Sequence, residues 1–526
     1  VAPGPYPFLA ALVNNRIKEL YYKIYTPVTV RFVDITSFAG IRVYQRTSWF
    51  ILQKAARDLF PGKTLHIRHS MGQNGFYCEI EGIDEFTPGL AEALEGHMRD
   101  LVAQDLPISR MKILTSEVRA RYAAQGLTDK IALLDTRPRL YSDLYTLGDT
   151  DGYFYGALAP STGFVDLFGI EPYYNGFYLA LPLRTAPDRL NTNVEQEKMF
   201  GIFQEYQSWV RIMGVPTVGA VNSKVLAGDA GGMIKLAEAF HERKFAWVAD
   251  TIYDANISRG VRMVLISGPS SSGKTTFSKR LSVQLMACGL WPMPISLDDY
   301  FVDRDKTPLD AQGEYDFENI EALNIPLLTQ HINALLQGEE VELPRYNFQT
   351  GRSEKSGKRV RLENHQILLL EGIHALNPAL TADIDDSCKF KIYASALTTI
   401  LLDDHNYIPT TDNRLLRRIV RDYKYRGYSA LDTIRRWKSV RQGEEKWIFP
   451  YQENADAMFN SALLFELAAL RQQALNLLEQ VPESEPEYSE AYRLRKFLQY
   501  LKPISTKGLP PTSLLREFLG GSTFKY

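Results

Sequence analysis

Cysteine is scarce in this 526-residue chain: Cys78, Cys288 and Cys388 are far apart and form no CxxC pair. That argues against a disulfide framework or a thiolate zinc site and fits a reducing cytosol. No uncharged apolar run reaches the ~18 residues that a membrane span requires. No signal-peptide pattern opens the chain, and a cytoplasmic protein without a membrane partner is expected. The chain begins at Val1 rather than Met, so a start trimmed from a longer chain is an open expectation. Charge of one sign is lacking too. Sixty Lys and Arg against 62 Asp and Glu leave a net charge of −2, so no global field would hold the protein on nucleic acid, although a local basic patch stays open. There is no internal repeat and no long low-complexity tract. What remains is an ordinary globular composition, 45% hydrophobic and 23% charged, in a chain too long for one core.

The pattern divides the chain into five parts. Residues 1–35 alternate apolar and polar, as in TPVTVRFVDI, and read as a small strand-rich unit. Residues 36–190 are mixed, with a helix expected at SWFILQKAARDLF, where Phe50, Ile51, Ala55 and Leu59 share a face. A second helix is expected at 88–104, and strands and turns at 140–180. Residues 191–255 read as a helical connector. Residues 256–470 alternate strands with helices, the signature of a parallel α/β sheet. The tail, 471–526, holds two helices and a Pro/Gly-rich end.

Within the α/β part, MVLISGPSSSGKTTFSKRLSVQLMA carries the strongest signal. An apolar run, Met263–Ser267, leads into Gly268 and Gly273, which bracket four residues and are followed by Lys274 and Thr275, matching GxxxxGK[ST]. Glycines let such a loop turn its N–H groups inward around phosphate oxygens. The helix that follows adds the positive end of its dipole. Gly268, Ser270, Ser271, Ser272, Gly273, Lys274, Thr275 and Thr276 are therefore the expected triphosphate cradle, with ATP as the ligand. Lys274 can reach the β- and γ-phosphates, and the Thr275 hydroxyl can ligate Mg²⁺.

Two further apolar runs end in acids. WPMPISLDDYF places Asp298 and Asp299 after a strand, where ligands of open α/β sheets bind. Asp298 can accept a proton from an attacking hydroxyl, or it can be a helix cap. QILLLEGIHAL ends in Glu371, a position from which a carboxylate reaches Mg²⁺ directly or through water. His374 nearby reads as a packing residue. Further on, DNRLLRRIVRDYKYRG sets Arg414, Arg417, Arg418 and Arg421 on one helical face. Four like charges there need an anionic partner. ATP phosphates under a closing lid are one; solvent or nucleic acid are the others.

Together, GPSSSGKTT, SLDDYF, YDFENIEAL, LPRYNF, LLLEGIHAL and RLLRRIVRD resemble, in order and spacing, the uridine kinase and phosphoribulokinase-like family of P-loop kinases, over about 256–465. The resemblance implies a P-loop NTPase-type parallel sheet. It implies Asp298 as general base, with Lys274, Arg414 and Arg418 at the transferring phosphate, and Thr275 and Glu371 at Mg²⁺. Asp316 and Tyr346 fall where uridine kinases hold sugar and base, and Arg417 and Arg421 fall toward the substrate end. The chain departs from the family after YNF. Where a base-contacting His is usual, it has Gly351 and Arg352, and an arginine there could favour an anionic acceptor.

The front half carries a second resemblance. TSWFILQKAARDLFPGKTLHIRHSMGQNGFYCEI is similar to the α+β second domain of threonyl-tRNA synthetase, and residues 1–35 to the end of the TGS module before it. That domain edits with an HxxxH pair and a later CxxxH. Here those positions hold Thr47, Ile51, Phe168 and Pro172, none a metal ligand, so the fold is expected without the chemistry. His66 and His69 lack acidic or thiol partners at metal spacing and read as structural. The combination matches a group of long bacterial uridine-kinase-like proteins. The leading expectation is an ATP- and Mg²⁺-dependent kinase for a nucleoside 5′-hydroxyl, with another sugar or polyol as the alternative acceptor. A nucleotide-switched protein that binds tRNA or other RNA is the rival of a different class. Oligomeric state stays open.

Overall fold

Leucine- and β-branched-rich runs such as MVLIS and QILLLE have no polar face, so they form strands only where both faces are covered. The computed structural model, which describes residues 4–72, 74–192, 195–310 and 313–525, places them in such a sheet. The expected outermost positions, 1–3 and 526, lie outside the described residues. The sheet order is Trp291–Ser296, Gln366–Glu371, Met263–Ser267, Lys389–Ser395 and Ala457–Asn460, with every neighbouring pair parallel. One face packs Val264, Ile266 and Leu369 against Phe277 and Leu281 of the helix Lys274–Ala287 and Phe245 and Ile252 of the helix Ala230–Arg259. The other packs Leu265, Leu368 and Leu370 against Leu297, Ile332 and Leu335.

The front half is α+β, as expected. Ala10–Val13, Arg16–Lys18 and Val30–Val33 form a small antiparallel sheet. A four-stranded sheet, Leu65–Met71, Gly75–Ile80, Gly176–Ala180 and Gly169–Tyr173, shares a core with the helices Phe38–Leu59 and Pro88–Ala103. The first of these helices starts ten residues before the expected SWFILQ pattern. Ser37 caps it by accepting the Gly40 N–H, and Ile41, Val43 and Tyr44 extend its buried stripe. The helices Thr115–Ala124 and Thr128–Asp135 carry weak periodicity and were not expected. The connector forms the helices Glu197–Ile212, Val218–Leu226 and Ala230–Arg259. At the back, the helix Glu466–Leu478 runs across the expected boundary at 470.

The positions that would carry editing chemistry are packing positions. The Thr47 hydroxyl donates to the Val43 carbonyl (2.8 Å) and accepts the Ala159 N–H (2.9 Å). Ile51 and Phe168 are core residues, and Pro172 sits on the edge strand Gly169–Tyr173. His69 stacks on Phe203 of the connector at 3.8 Å. Burial pushes its pKa down to about 3, so the ring is neutral.

The two halves interlock. The hairpin Leu401–Asp403 with Asn406–Tyr407 leaves the α/β unit and enters the front half. There Lys130 Nζ meets Asp403 Oδ1 at 2.7 Å, both side chains fully buried. Asn406 Nδ2 bonds the same carboxylate and the Tyr153 carbonyl. The Ile67 N–H donates to the Asp404 carbonyl (2.9 Å), and His66 Nδ1 lies 3.1 Å from Asp404 Oδ1. Removing one partner of a buried pair strands the other charge. Lys130→Met is therefore expected to destabilise the protein by about 3 kcal/mol, read by urea unfolding, and the double variant Lys130→Met/Asp403→Leu to recover part of that. A loss below about 1 kcal/mol, the range of exposed pairs, would mean that this contact does not join the halves.

Candidate active site

The loop between the central strand and its helix is shaped by its glycines. A Cβ on Gly268 would lie 1.9 Å from the Ala394 carbonyl oxygen of the neighbouring strand, so only glycine lets the two strand ends approach. Gly273 has φ +84° at the helix start, and Ser271 is itself left-handed at φ +59°. The Ser271 and Ser272 hydroxyls are buried with no hydrogen-bond partner. Buried polar groups are ordinarily satisfied, and phosphate oxygens would satisfy these.

Register brings the acids to this loop. Glu371 is the Cα partner of both Ser296 and Ile266, so three strand ends converge at one edge. The Thr275 hydroxyl donates to Glu371 Oε1 at 3.1 Å. Lys274 Nζ folds back to the Pro269 carbonyl at 3.2 Å. Asp298 lies on the short turn Leu297–Tyr300, which Ser296 caps by accepting the Asp298 N–H (3.3 Å), so the cap is serine and the aspartate side chain is left free of that task. Burial raises the carboxyl of Glu371 to about 7, against the opposing charge of Lys274. It also raises Asp298, while Lys274, Arg426 and Arg421 draw it back. Lys274 is lowered by burial, with Glu371 and Asp298 opposing. A hydroxyl, two carboxylates and an ammonium thus share one pocket edge. Among the described residues no group of three or more His, Cys, Asp or Glu forms a metal cluster. Thr275 and Glu371 nevertheless present hard oxygens, and Mg²⁺ commonly takes only one or two protein ligands.

The arginine helix, Thr410–Arg426, lies against the loop, but its charges are met by the protein's own acids. Arg414 is fully buried, ion-paired with Glu444, and donates through Nε to the Ser270 carbonyl (2.9 Å). Arg417 is fully buried too. It pairs with Glu466 at 2.5 Å and reaches the Ser271 carbonyl (3.4 Å) and the Ser461 carbonyl (2.9 Å). Neither guanidinium is open to a substrate in this arrangement: the anions that Arg414 and Arg417 meet are Glu444 and Glu466, not a ligand. Arg418 donates to the Ser270 hydroxyl (2.9 Å) and pairs with Asp422, as does Arg421 at 3.1 Å. These two keep some solvent access.

The expected acceptor residues are Asp316, Tyr346 and Arg352. Asp316 Oδ1 accepts the Glu318 N–H (3.2 Å), tightening the YDFEN turn. Tyr346 is buried among Phe301 and Phe348, its hydroxyl without a partner. Arg352 is exposed on the hairpin Glu340–Asn347 with Arg352–Arg361 and pairs with Asp303 (3.4 Å) and Asp305 (3.5 Å). His374 is buried, its pKa lowered to about 4 by that burial. Glu318, Glu444 and Glu466 were not expected at the site. Glu318 has a buried oxygen without a partner and a pKa raised by burial. It lies inside YDFEN, so a signal was present, whereas nothing local marks Glu444 or Glu466.

A glycine-lipped loop at the end of a central parallel strand, with strand-end acids beside it, defines the class of P-loop kinase folds. Residues 263–464 match the model of the phosphoribulokinase / uridine kinase family, so the α/β unit is a domain of that family, a phosphotransferase unit acting on an alcohol group. The chain is 29% identical over 232 residues to a uridine kinase of Halobacterium salinarum, covering 44% of this chain and 90% of that protein. It is 29% identical over 192 residues to a uridine kinase of Lactobacillus helveticus, covering 36% and 82%. The N-terminal region is similar to the threonine–tRNA ligase of Desulforamulus reducens, 28% identical over 156 residues, which is 30% of this chain and 24% of that protein. The chain thus joins a kinase domain to a region similar to about a quarter of a synthetase. No helix among the described residues is long and apolar enough to cross a membrane.

Glu371 supplies a pH test. A carboxyl whose pKa is higher folded than unfolded binds extra protons in the native state between about 4.5 and 7. Stability from this group is therefore full at the acid end and is lost as pH rises through 7. In the absence of nucleotide and Mg²⁺, Glu371→Gln is expected to melt above wild type at pH 8, by an amount on the order of 1 kcal/mol after solvent screening, and to converge with it near pH 5. A thermal-shift series across that range reads the difference. A gap that widens toward acid would refute the raised pKa.

Proposed function

We propose that this protein uses MgATP to phosphorylate the hydroxyl of a small molecule, with a nucleoside 5′-hydroxyl, uridine or cytidine, as the leading acceptor. The observation that carries the reading is the convergence of Lys274, Asp298 and the Thr275–Glu371 pair at one sheet edge, above a loop with unsatisfied buried serine hydroxyls. The loop amides and Lys274 would hold the β- and γ-phosphates, and Thr275 and Glu371 would hold Mg²⁺, which when bound neutralises charge on those oxygens. Asp298 would orient the acceptor hydroxyl and take its proton; its raised pKa makes it a better base than an exposed aspartate. Arg418 and Arg421 are the arginines placed to offset charge on the transferring group. Arg414 and Arg417 act through the loop they brace, as positioning residues.

Acceptor binding would fall to Asp316 and Tyr346, the latter offering an unpartnered buried hydroxyl. Arg352 supports the second reading, a phosphorylated or otherwise anionic sugar or polyol, although Asp303 and Asp305 already meet its charge. The RNA-binding rival rests on the synthetase-like region alone.

Lys274→Ala should abolish turnover and strongly weaken ATP binding. Asp298→Asn should lower kcat by about 10²-fold or more while leaving ATP affinity near wild type. ADP release would be measured with panels of nucleosides, sugars and polyols. Wild-type turnover in Asp298→Asn removes the base assignment, and a panel in which no acceptor stimulates ATP turnover counts against the kinase reading. Steeply salt-dependent tRNA binding would instead favour the rival.

A further inference from the structure

The C-terminal segment lies on the phosphate loop. The Glu517 carboxylate is buried and accepts both the hydroxyl (2.6 Å) and the N–H (3.3 Å) of Thr276, in the first turn of the helix that follows the loop. That N–H belongs to the first helical turn, so the Glu517 carboxylate faces the positive end of the helix dipole. In loops of this sequence such amides cradle the α- and β-phosphates. The charge of Glu517 also bears on Lys274 and Glu371, which places it in the same pocket.

Its neighbours follow it in. Leu514 packs beside Gly273, its Cδ2 3.4 Å from where a Cβ would sit there. The Phe518 ring lies under the Arg417 guanidinium at 4.9 Å. The segment is tethered by Lys424 Nζ to the Leu519 carbonyl (2.7 Å). It is followed by two consecutive left-handed glycines, Gly520 (φ +84°) and Gly521 (φ +76°). An anion, an apolar body and an aromatic ring on a guanidinium are the chemical features of a nucleotide, here supplied by the chain itself.

We infer that residues 513–519 act as an internal stand-in for nucleotide, with Glu517 holding a phosphate-binding amide of the loop, so that ATP must displace this segment to bind fully. The inference rests on the proposed ATP site. A triphosphate and the Glu517 carboxylate cannot share the Thr276 amide, because one donor serves one strong acceptor and two anions at contact distance repel. The apparent affinity for ATP is then reduced by the fraction of molecules in which the segment is seated.

Two measurements on the full chain test this. MgATP affinity is determined by calorimetry for wild type and Glu517→Gln, which keeps the shape and removes the charge. The expected result is binding about fivefold to tenfold tighter in the variant, as for a segment seated most of the time. Hydrogen exchange of residues 509–519 is followed in the wild type with and without saturating MgATP, and exchange is expected to speed up when nucleotide binds. If Glu517→Gln fails to fold, the exchange measurement decides alone. Equal or weaker ATP binding in a folded Glu517→Gln, or slower or unchanged exchange with ATP, overturns the stand-in and makes the contact a permanent brace. Absence of ATP binding in both proteins would overturn the ATP site on which the inference depends, a result distinct from equal binding in both.

Discussion

Two buried guanidiniums hold the catalytic end of this protein together. Arg414 and Arg417 reach the carbonyls of Ser270 and Ser271 on one side and Glu444 and Glu466 on the other. A buried arginine without an acid would carry a large desolvation cost, and so would either glutamate alone. The helices Thr410–Arg426, Ala430–Trp447 and Glu466–Leu478 are therefore bound to one another through the phosphate loop as much as through their leucines. The loop in turn is fixed from behind by its carbonyl contacts, while the Ser271 and Ser272 hydroxyls stay buried without a partner.

The same economy of paired charges links the regions. Asp412, in the first turn of the arginine helix, bonds Arg493 of the tail at 2.6 and 2.7 Å. Arg493 and Arg42 of the first long helix meet at Glu490. Opposition from these two arginines holds Glu490 well below the ordinary carboxylate range despite its burial. The front half, the tail and the arginine helix thus share one charge cluster, a second seam besides the 401–407 hairpin.

What the sequence made legible was local. Gly268 to Thr276, the strand ending in Glu371 and the turn at Asp298 each sit within about ten residues, and each couples an apolar run to a polar terminus, a pattern with one structural outcome. That Thr47, Ile51 and Phe168 are packing residues and not metal ligands was legible for the same reason. The counter-charges were not. Glu444, Glu466 and Glu517 stand 30, 49 and 241 residues from Arg414, Arg417 and Thr276, on helices whose periodicity says nothing about an ionic partner. The arginine face correctly demanded an anion, but periodicity could not say whether that anion came from a ligand or from the chain. Arg352 shows the same limit: its charge was visible, and its pairing with Asp303 and Asp305 depended on a turn fixed only by tertiary contact.

The 401–407 hairpin bears on how such a protein can be cut. The kinase unit looks separable at its first strand, since the connector helix ends there on a left-handed glycine, Gly260. Excision at that point would leave Asp403 and Asn406 facing water with Lys130 gone, and would bare Tyr407, which packs edge-on against Trp49. The front half, through Lys130, Tyr153 and Trp49, forms part of the wall around this hairpin. A shortened catalytic version would need that hairpin rebuilt with polar residues, or shortened to a plain turn, before it could stand alone.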